Sequence, residues 1–187
     1  MYTKVSVLKP SKASPGKGGD KKNKITIVDL DDILTHAARD SKGILIEGKH
    51  AFKENAYAIE MYVTPSSIAA KASSEGETDE EGMLQEVVLA HPGNEKEIRE
   101  FRANWLGRDV LIFIESCSDS QINEYGAPCA PLRMKIEATD DKDAKKTVFT
   151  FASVNKGPDI AMYDNTLTFS DVAATVAADS ESVDLAS

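Results

Sequence analysis

The sequence predicts a mainly β fold, a sandwich or barrel of antiparallel strands with one flanking α-helix and long arms. Three observations predict it: short segments of alternating apolar residues, one amphipathic helix, and long polar stretches between them. The clearest alternation runs through residues 132–137 and 147–152, on either side of a charged turn. Because a period of two places one set of side chains on a buried face, we expect two adjacent strands here.

The length and amino-acid composition limit the classes of protein to which this chain can belong. With 187 residues, 41% of them hydrophobic, the chain can bury one core, and we expect a single domain over residues 1–187. The net charge of -9 and the 6% of aromatic residues argue against tight binding of DNA or RNA. No run approaches the roughly 20 apolar residues that cross a bilayer, and no apolar signal segment follows the N-terminus. We therefore expect no membrane contact and synthesis in a cytoplasm.

The first half of the chain alternates between short strands and polar segments. Asp29 or Asp31 can cap a helix over residues 31–40, in which Ile33 and Leu34 begin a small apolar face. Residues 55–63 and 83–90 have strand patterns, and we expect these two strands to pair. The remaining strands are predicted at residues 3–8, 24–30 and 44–47.

The strongest helix signal follows His91-Pro92-Gly93. Asn94 can cap a helix that continues to about Leu106, where Gly107 provides a left-handed C-terminal residue. The next strand is continuously apolar from Val110 to Ile114, so we expect both of its faces to be covered, one by this helix. Apolar residues at helical spacing are core far more often than a ligand site. The expected core residues are Ile98, Phe101, Trp105, Ile112, Ile114, Phe149 and Phe151.

Three polar segments are predicted as arms: a basic loop at 9–23, a projecting loop at 64–82 and an acidic C-terminal arm at 164–187. The middle segment is longer than most loops of compact domains and carries five carboxylates between residues 75 and 81. We expect a projecting β-hairpin or arm that is ordered only by neighbouring subunits. The basic and acidic ends are either two solvated tails or complementary surfaces for head-to-tail docking.

No pattern of catalytic, cofactor-binding or metal-binding residues stands out, which predicts a protein that is not an enzyme. His36, His50 and His91 share no ligand spacing and are expected to be surface or loop residues. Residues 15–20 (PGKGGD) lack the spacing of a phosphate-binding loop, and the acidic run at 75–81 lacks that of a calcium loop. The two cysteines, Cys117 and Cys129, are either free thiols or a single bridge.

Residues 84–163 resemble the tail tube proteins, or major tail proteins, of tailed bacteriophages. The similar stretches are the helix EKEIREFRANWLG, the strand RDVLIFIES, the turn GAPCAPLRMKI, and the late segments KKTVFTFAS and DIAMY. The loop at 64–82 matches the arm that this family uses for stacking. The resemblance implies a β-sandwich or barrel whose copies form rings, with six copies in each ring. Stacked rings would form a hollow tube that genome DNA crosses without specific binding.

This resemblance also implies partners and a location. The partners would be further copies of the chain and other tail and neck proteins. The protein would be located in the virion tail, which is assembled in the host cytoplasm. The alternatives are another virion structural protein, such as a capsid decoration or head-tail joining protein, and a stand-alone ligand-binding β domain. The residues expected at contacts between rings or subunits are Ser66, Ser67, Lys71, Glu75, Glu77, Asp79, Glu80, Glu81, Lys12, Lys17, Lys21 and Lys22.

Overall fold

Strands dominate the computed structural model, which describes residues 20–54, 56–142, 145–164, 166–167 and 171–172. The predicted mainly β fold with one α-helix is confirmed over these residues. The strands are β1 (Lys21–Asp29), β2 (Ile33–Thr35), β3 (Leu45–Ile46), β4 (Ala51–Phe52), β5 (Tyr57–Tyr62), β6 (Ala69–Glu75), β7 (Gly82–Pro92), β8 (Val110–Ser116), β9 (Ile122–Tyr125), β10 (Leu132–Asp140), β11 (Lys145–Ser153), β12 (Ala161–Tyr163) and β13 (Asp171–Val172). The strand expected at 3–8 lies outside the described residues.

One large sheet carries most of these strands, in the order β13-β5-β1-β8-β10-β11-β7-β6. β9 pairs with β8, β12 with β9, and β3 with β12, while β2 and β4 form a separate two-stranded sheet. Neighbours are antiparallel except for β12 with β3 and β13 with β5, which are parallel. The sheet is therefore mixed, with two short parallel pairs beside the predicted antiparallel ones.

The β10–β11 hairpin forms where the alternation predicts it. Its register runs from Leu132 opposite Ser153 to Asp140 opposite Lys145. Phe149 and Phe151 are buried on one face. Alternate residues of β1, β7 and β8 point to the same interior, so period-two patterning builds the main core.

The opposite face of β1 and β8 has a second, smaller core. Leu111 and Phe113 of β8 are buried there together with Tyr163 of β12. Residues 33–52, which include β2, β3 and β4 and which we call the cover segment, lie over this face and contribute Ile33, Ile46 and Phe52. Both faces of β8 are thus buried, as its continuous apolar sequence predicts.

The single α-helix, α1 (Lys96–Trp105), packs on the main core. Ile98 is buried, whereas Phe101 and Trp105 are partly buried against that core. The Phe101 ring meets the Phe149 ring edge-on at 5.7 Å. Gly107 follows with a φ of 83°, in the left-handed region that glycine adopts readily.

Asn94 does not cap this helix, contrary to the prediction, because the capping position is Glu95 and no side chain bonds the helix N-terminus there. The Asn94 side chain is engaged elsewhere. Its amide nitrogen donates to Asp140 Oδ2 at 3.0 Å, and its oxygen accepts from Arg102 Nη2 at 3.0 Å. Tertiary hydrogen bonds have therefore replaced the local cap.

Two further local predictions are wrong. Residues 31–40 do not form an α-helix: a 3-10 turn (Leu30–Asp32) leads into β2, whose Ile33 packs on the second core. β5 pairs with β1 and β13 and not with β7, although Thr64 N–H just beyond β5 donates to Ala90 O at 3.0 Å. This bond brings the end of β5 close to β7, but among the described residues no ladder of hydrogen bonds joins the two strands.

The predicted loop at 64–82 is largely regular structure. A 3-10 turn (Pro65–Ser67) precedes β6, which pairs with β7 along its whole length. The polar segment is thus a hairpin, and the chain itself orders it, contrary to the expectation that only neighbouring subunits would do so. Residues 21–23 of the expected basic loop likewise belong to β1. Most of the acidic arm at 164–187 lies outside the described residues.

Candidate functional site

Strand β6 forms one end of the large sheet and has β7 as its only strand partner within the described part of the chain. Its sequence, AAKASSE, contains three alanines and two serines and no large side chain except Lys71 and Glu75. Lys71 forms an exposed ion pair with Glu86 of β7 at 2.9 Å. One backbone edge of a seven-residue strand therefore lies open beside small side chains.

The residues predicted at subunit contacts fall into three groups. Ser66, Glu75 and the acidic residues of the β6–β7 turn are exposed. Ser67 is used internally, since its hydroxyl donates to Thr64 O at 2.6 Å and accepts from Ala90 N–H at 2.9 Å. Lys12 and Lys17 lie outside the described residues.

Lys21 and Lys22 belong to β1 and not to a free arm. The Lys22 ammonium pairs with Glu115 of β8 at 2.5 Å. The Lys21 ammonium lies 5.9 Å from the centre of the Tyr125 ring, and burial lowers the pKa of this lysine. Both lysines therefore have partners within the subunit.

The sequence analysis did not predict a buried cluster formed by Glu124, His36 and His50. Glu124 of β9 is fully buried, and its two oxygens accept from two imidazoles. Nε2 of His36 lies 2.7 Å from Oε1, and Nε2 of His50 lies 2.7 Å from Oε2. Both histidines belong to the cover segment, whereas Glu124 belongs to the main sheet, so the cluster joins the two.

The hydrogen bonds fix the tautomer of His50. Its Nδ1 accepts the Ala37 backbone N–H at 3.0 Å, which only an unprotonated nitrogen can do. His50 is therefore neutral, with its proton on Nε2, and donates it to Glu124. The His50 backbone N–H in turn donates to Tyr163 Oη at 3.2 Å, a second link between the cover segment and the sheet.

Glu124 remains ionised in this setting. Burial by itself raises the pKa of the carboxyl group, but the hydrogen bonds from His36 and His50 outweigh it and lower the pKa below the usual 4.5. Burial also raises the pKa of the nearby Tyr163 phenol, and the Glu124 charge adds to this. The cluster is thus a buried anion held by two N–H donors.

Two imidazoles and a carboxylate are ligands that zinc accepts, but their arrangement here opposes a metal. The rings of His36 and His50 are stacked, with centroids 4.3 Å apart and planes at 29°, and each Nε2 lies at hydrogen-bond distance from a Glu124 oxygen. His50 Nε2 also carries a proton. The geometry supports a hydrogen-bonded clamp.

His50 is a loop residue between β3 and β4, as the expectation of surface or loop histidines allows, but it is buried, with 4% of its surface exposed. The sequence did contain one usable signal. In β9, Ile122 and Glu124 share a face at a spacing of two, so a carboxylate stands on the apolar side of a strand. Outside this cluster, Cys117 and Cys129 are free, exposed thiols, so the structure contains no bridge between them.

Comparison of the chain with protein-family models, with curated proteins and with solved structures finds no match. No helix among the described residues is long and apolar enough to span a membrane.

Proposed function

We propose that this protein is a non-enzymatic structural subunit that assembles with copies of itself. The observation that carries the proposal is the open backbone edge of β6. In the more specific form suggested by the resemblance to tail tube proteins, the copies form stacked rings that make the tube of a phage tail. The chain would then belong to the virion and have other tail and neck proteins as partners.

An open strand edge attracts another strand, because its N–H and C=O groups can extend the ladder of hydrogen bonds. Proteins that remain monomeric protect such edges with proline, with bulges, or with charged side chains, especially lysine, on the edge or pointing inwards. The one lysine of β6, Lys71, is paired with Glu86 of β7. β6 contains no proline, and its half-buried positions hold Ala70 and Ala72. Its ladder with β7 is continuous from Ala69 to Glu75. The edge is therefore regular and suited to pairing.

Ring formation requires a second, different surface, because two identical edges would pair as a closed dimer. β5 is near the other end of the sheet, and β13 covers it only at Tyr57 and Ala58. Residues 59–61 have β1 as their only strand partner within the described residues. We propose that β6 of one copy pairs with this part of β5 in the next.

The test is the assembly state of the purified full-length chain at rising concentration, followed by sedimentation velocity and negative-stain microscopy. Rings or tubes are expected. A species that stops at a dimer would contradict ring formation and indicate that like edges pair. A monomer at every concentration would overturn self-assembly altogether.

A further inference from the structure

We propose that the clamp of His36, His50 and Glu124 is an acid-operated latch that holds the cover segment on the second core and releases it when Glu124 is protonated. This inference does not depend on the proposed assembly. It rests on the geometry of the clamp, on the elements that the clamp joins, and on the apolar surface beneath it.

The clamp connects parts of the chain that few other side-chain bonds join. His36 follows β2, His50 precedes β4, and Glu124 stands in β9, 74 residues beyond His50. The backbone also holds the cover segment, through the pairing of β3 with β12, where Met162 N–H donates to Ile44 O at 2.9 Å. Among the described residues, β2 and β4 pair only with each other. Their attachment to the sheet therefore depends on the clamp, on the bonds from His50 N–H to Tyr163 and from Arg39 to Asp159 O, and on apolar packing.

Apolar surface lies beneath the latch. Phe113 is 2% exposed and Leu111 is fully buried, and both contribute to the second core that Ile33 and Phe52 complete. The His50 ring packs 6.0 Å from the Phe113 ring and 4.8 Å from the Tyr163 ring. Opening of the cover segment would expose this aromatic surface to water.

Protonation of Glu124 changes which groups of the clamp donate hydrogen bonds and which accept them. With Glu124 ionised, both carboxylate oxygens accept, so His36 can donate whether it is neutral or charged. A protonated Glu124 has one O–H donor, which would face an imidazole N–H. His50 cannot take a second proton without breaking its bond from Ala37 N–H. Acid therefore weakens the clamp at Glu124, where protonation replaces a hydrogen-bond acceptor by a donor.

The remaining charged or titratable groups near Glu124 come from two elements. Arg39 of the cover segment interacts with its charge, and Arg39 Nη1 donates to Asp159 O at 2.6 Å. The Tyr163 phenol of β12 also faces it. The Asp159 and Cys129 side chains act on Arg39. Arg39 favours the ionised carboxylate, in the same direction as the two histidines.

The direction in which the pKa of Glu124 is shifted determines how the stability of the latch changes with pH. A carboxyl group whose pKa is lower in the folded state than in the unfolded state stabilises the fold at pH values above its unfolded pKa. This stabilisation is lost as the pH falls through the folded pKa. The contribution of Glu124 to the latch should be complete at neutral pH, begin to fall below the ordinary carboxyl pKa of 4.5, and be lost once the pH is below the lowered pKa of the folded state.

The experiment is hydrogen exchange of the full-length chain between pH 7 and pH 3, with rates corrected for intrinsic exchange. Protection in the cover segment is compared with protection in the β10–β11 hairpin of the same molecule. We expect the cover segment to lose protection between pH 4.5 and pH 3 while the hairpin retains its own. Simultaneous loss in both, or no loss in the cover segment, would overturn the latch.

Glu124→Gln sharpens the test. The amide oxygen can accept from His50, and the amide NH₂ can donate to His36 only while His36 is neutral with its proton on Nδ1. A proton on His36 Nε2 would then set two donors against each other, and the buried negative charge is absent, so the cover segment of the variant should exchange faster than that of the wild type already at neutral pH. Glu60→Gln is the matched control, because Glu60 is partly exposed and pairs with Lys24.

Exchange of the Glu124→Gln cover segment at the wild-type rate at neutral pH would contradict the role of the carboxylate. Glu60→Gln should exchange as the wild type does. If Glu124→Gln does not fold, the wild-type profile decides the case alone, since the order in which the cover segment and the hairpin open either supports the latch or overturns it.

Discussion

Phe149 and Trp105 illustrate how burial sets the energetic weight of a single side chain. Phe149 is fully buried between the sheet and α1, where it contacts the rings of Phe101 and Phe151. Trp105 packs against the same core but is only partly buried, and Arg108 lies over its ring at 5.7 Å. Size alone would rank Trp105 first, whereas burial ranks Phe149 first.

Phe149→Ala should lower the free energy of unfolding by about 3–5 kcal/mol, because it leaves a cavity in a closed core. Trp105→Ala should cost less, about 2 kcal/mol, since part of the ring is already in contact with water. Urea unfolding of both variants at one pH measures the difference. An equal or larger loss for Trp105→Ala would contradict the assignment of the main core to the sheet interior.

Individual residues also show where prediction from sequence ends. Phe149 and Phe151 are predictable because the alternation of one strand identifies them. Glu124, His36 and His50 are brought together by the fold, with 74 residues between Glu124 and His50, and no local spacing marks them. Only the position of Glu124 on the apolar side of β9 hints at the cluster, and this hint does not reveal its partners.

Elements were predictable in proportion to how local their contacts are. The β10–β11 hairpin and α1 form from contiguous patterns and were predicted close to their observed bounds. Residues 31–40 contain apolar residues that suit a short helix, but packing on the second core selects β2. The pairing of β5 with β1, more than 25 residues apart along the chain, leaves no local trace in either strand. Tertiary contacts therefore decided the elements that sequence patterns misassigned.

The edge of β6 can be tested by a single charge. Ala72 occupies a half-buried position, so Ala72→Lys places an inward-pointing charge on the edge strand, a device that discourages pairing with another strand. The variant should remain folded but sediment as a monomer. Ala103→Lys is the control, because it makes the same substitution at an exposed position of α1, away from the β6 edge, and should still assemble. Assembly of both variants would remove the β6 edge from the mechanism.

At the scale of the whole molecule, the net charge of -9 opposes assembly. Copies of the same chain repel one another, and the range of that repulsion is set by salt, from about 30 Å at 10 mM to about 8 Å at 150 mM ionic strength. The basic residues near the N-terminus and the acidic residues near the C-terminus would act in the opposite direction if they attracted neighbouring copies. The response to salt therefore distinguishes the two effects.

Assembly should increase as sodium chloride is raised from 10 to 150 mM, because screening weakens the repulsion between subunits while the backbone hydrogen bonds of a shared strand edge are little affected. Light scattering at constant protein concentration measures the assembled fraction. Sucrose, which is excluded from the protein surface but does not screen charge, controls for general compaction and should produce a smaller change. A decrease with salt would show that attraction between the oppositely charged ends dominates, and the two termini, more than the β6 edge, would then be the surfaces that join one copy to the next.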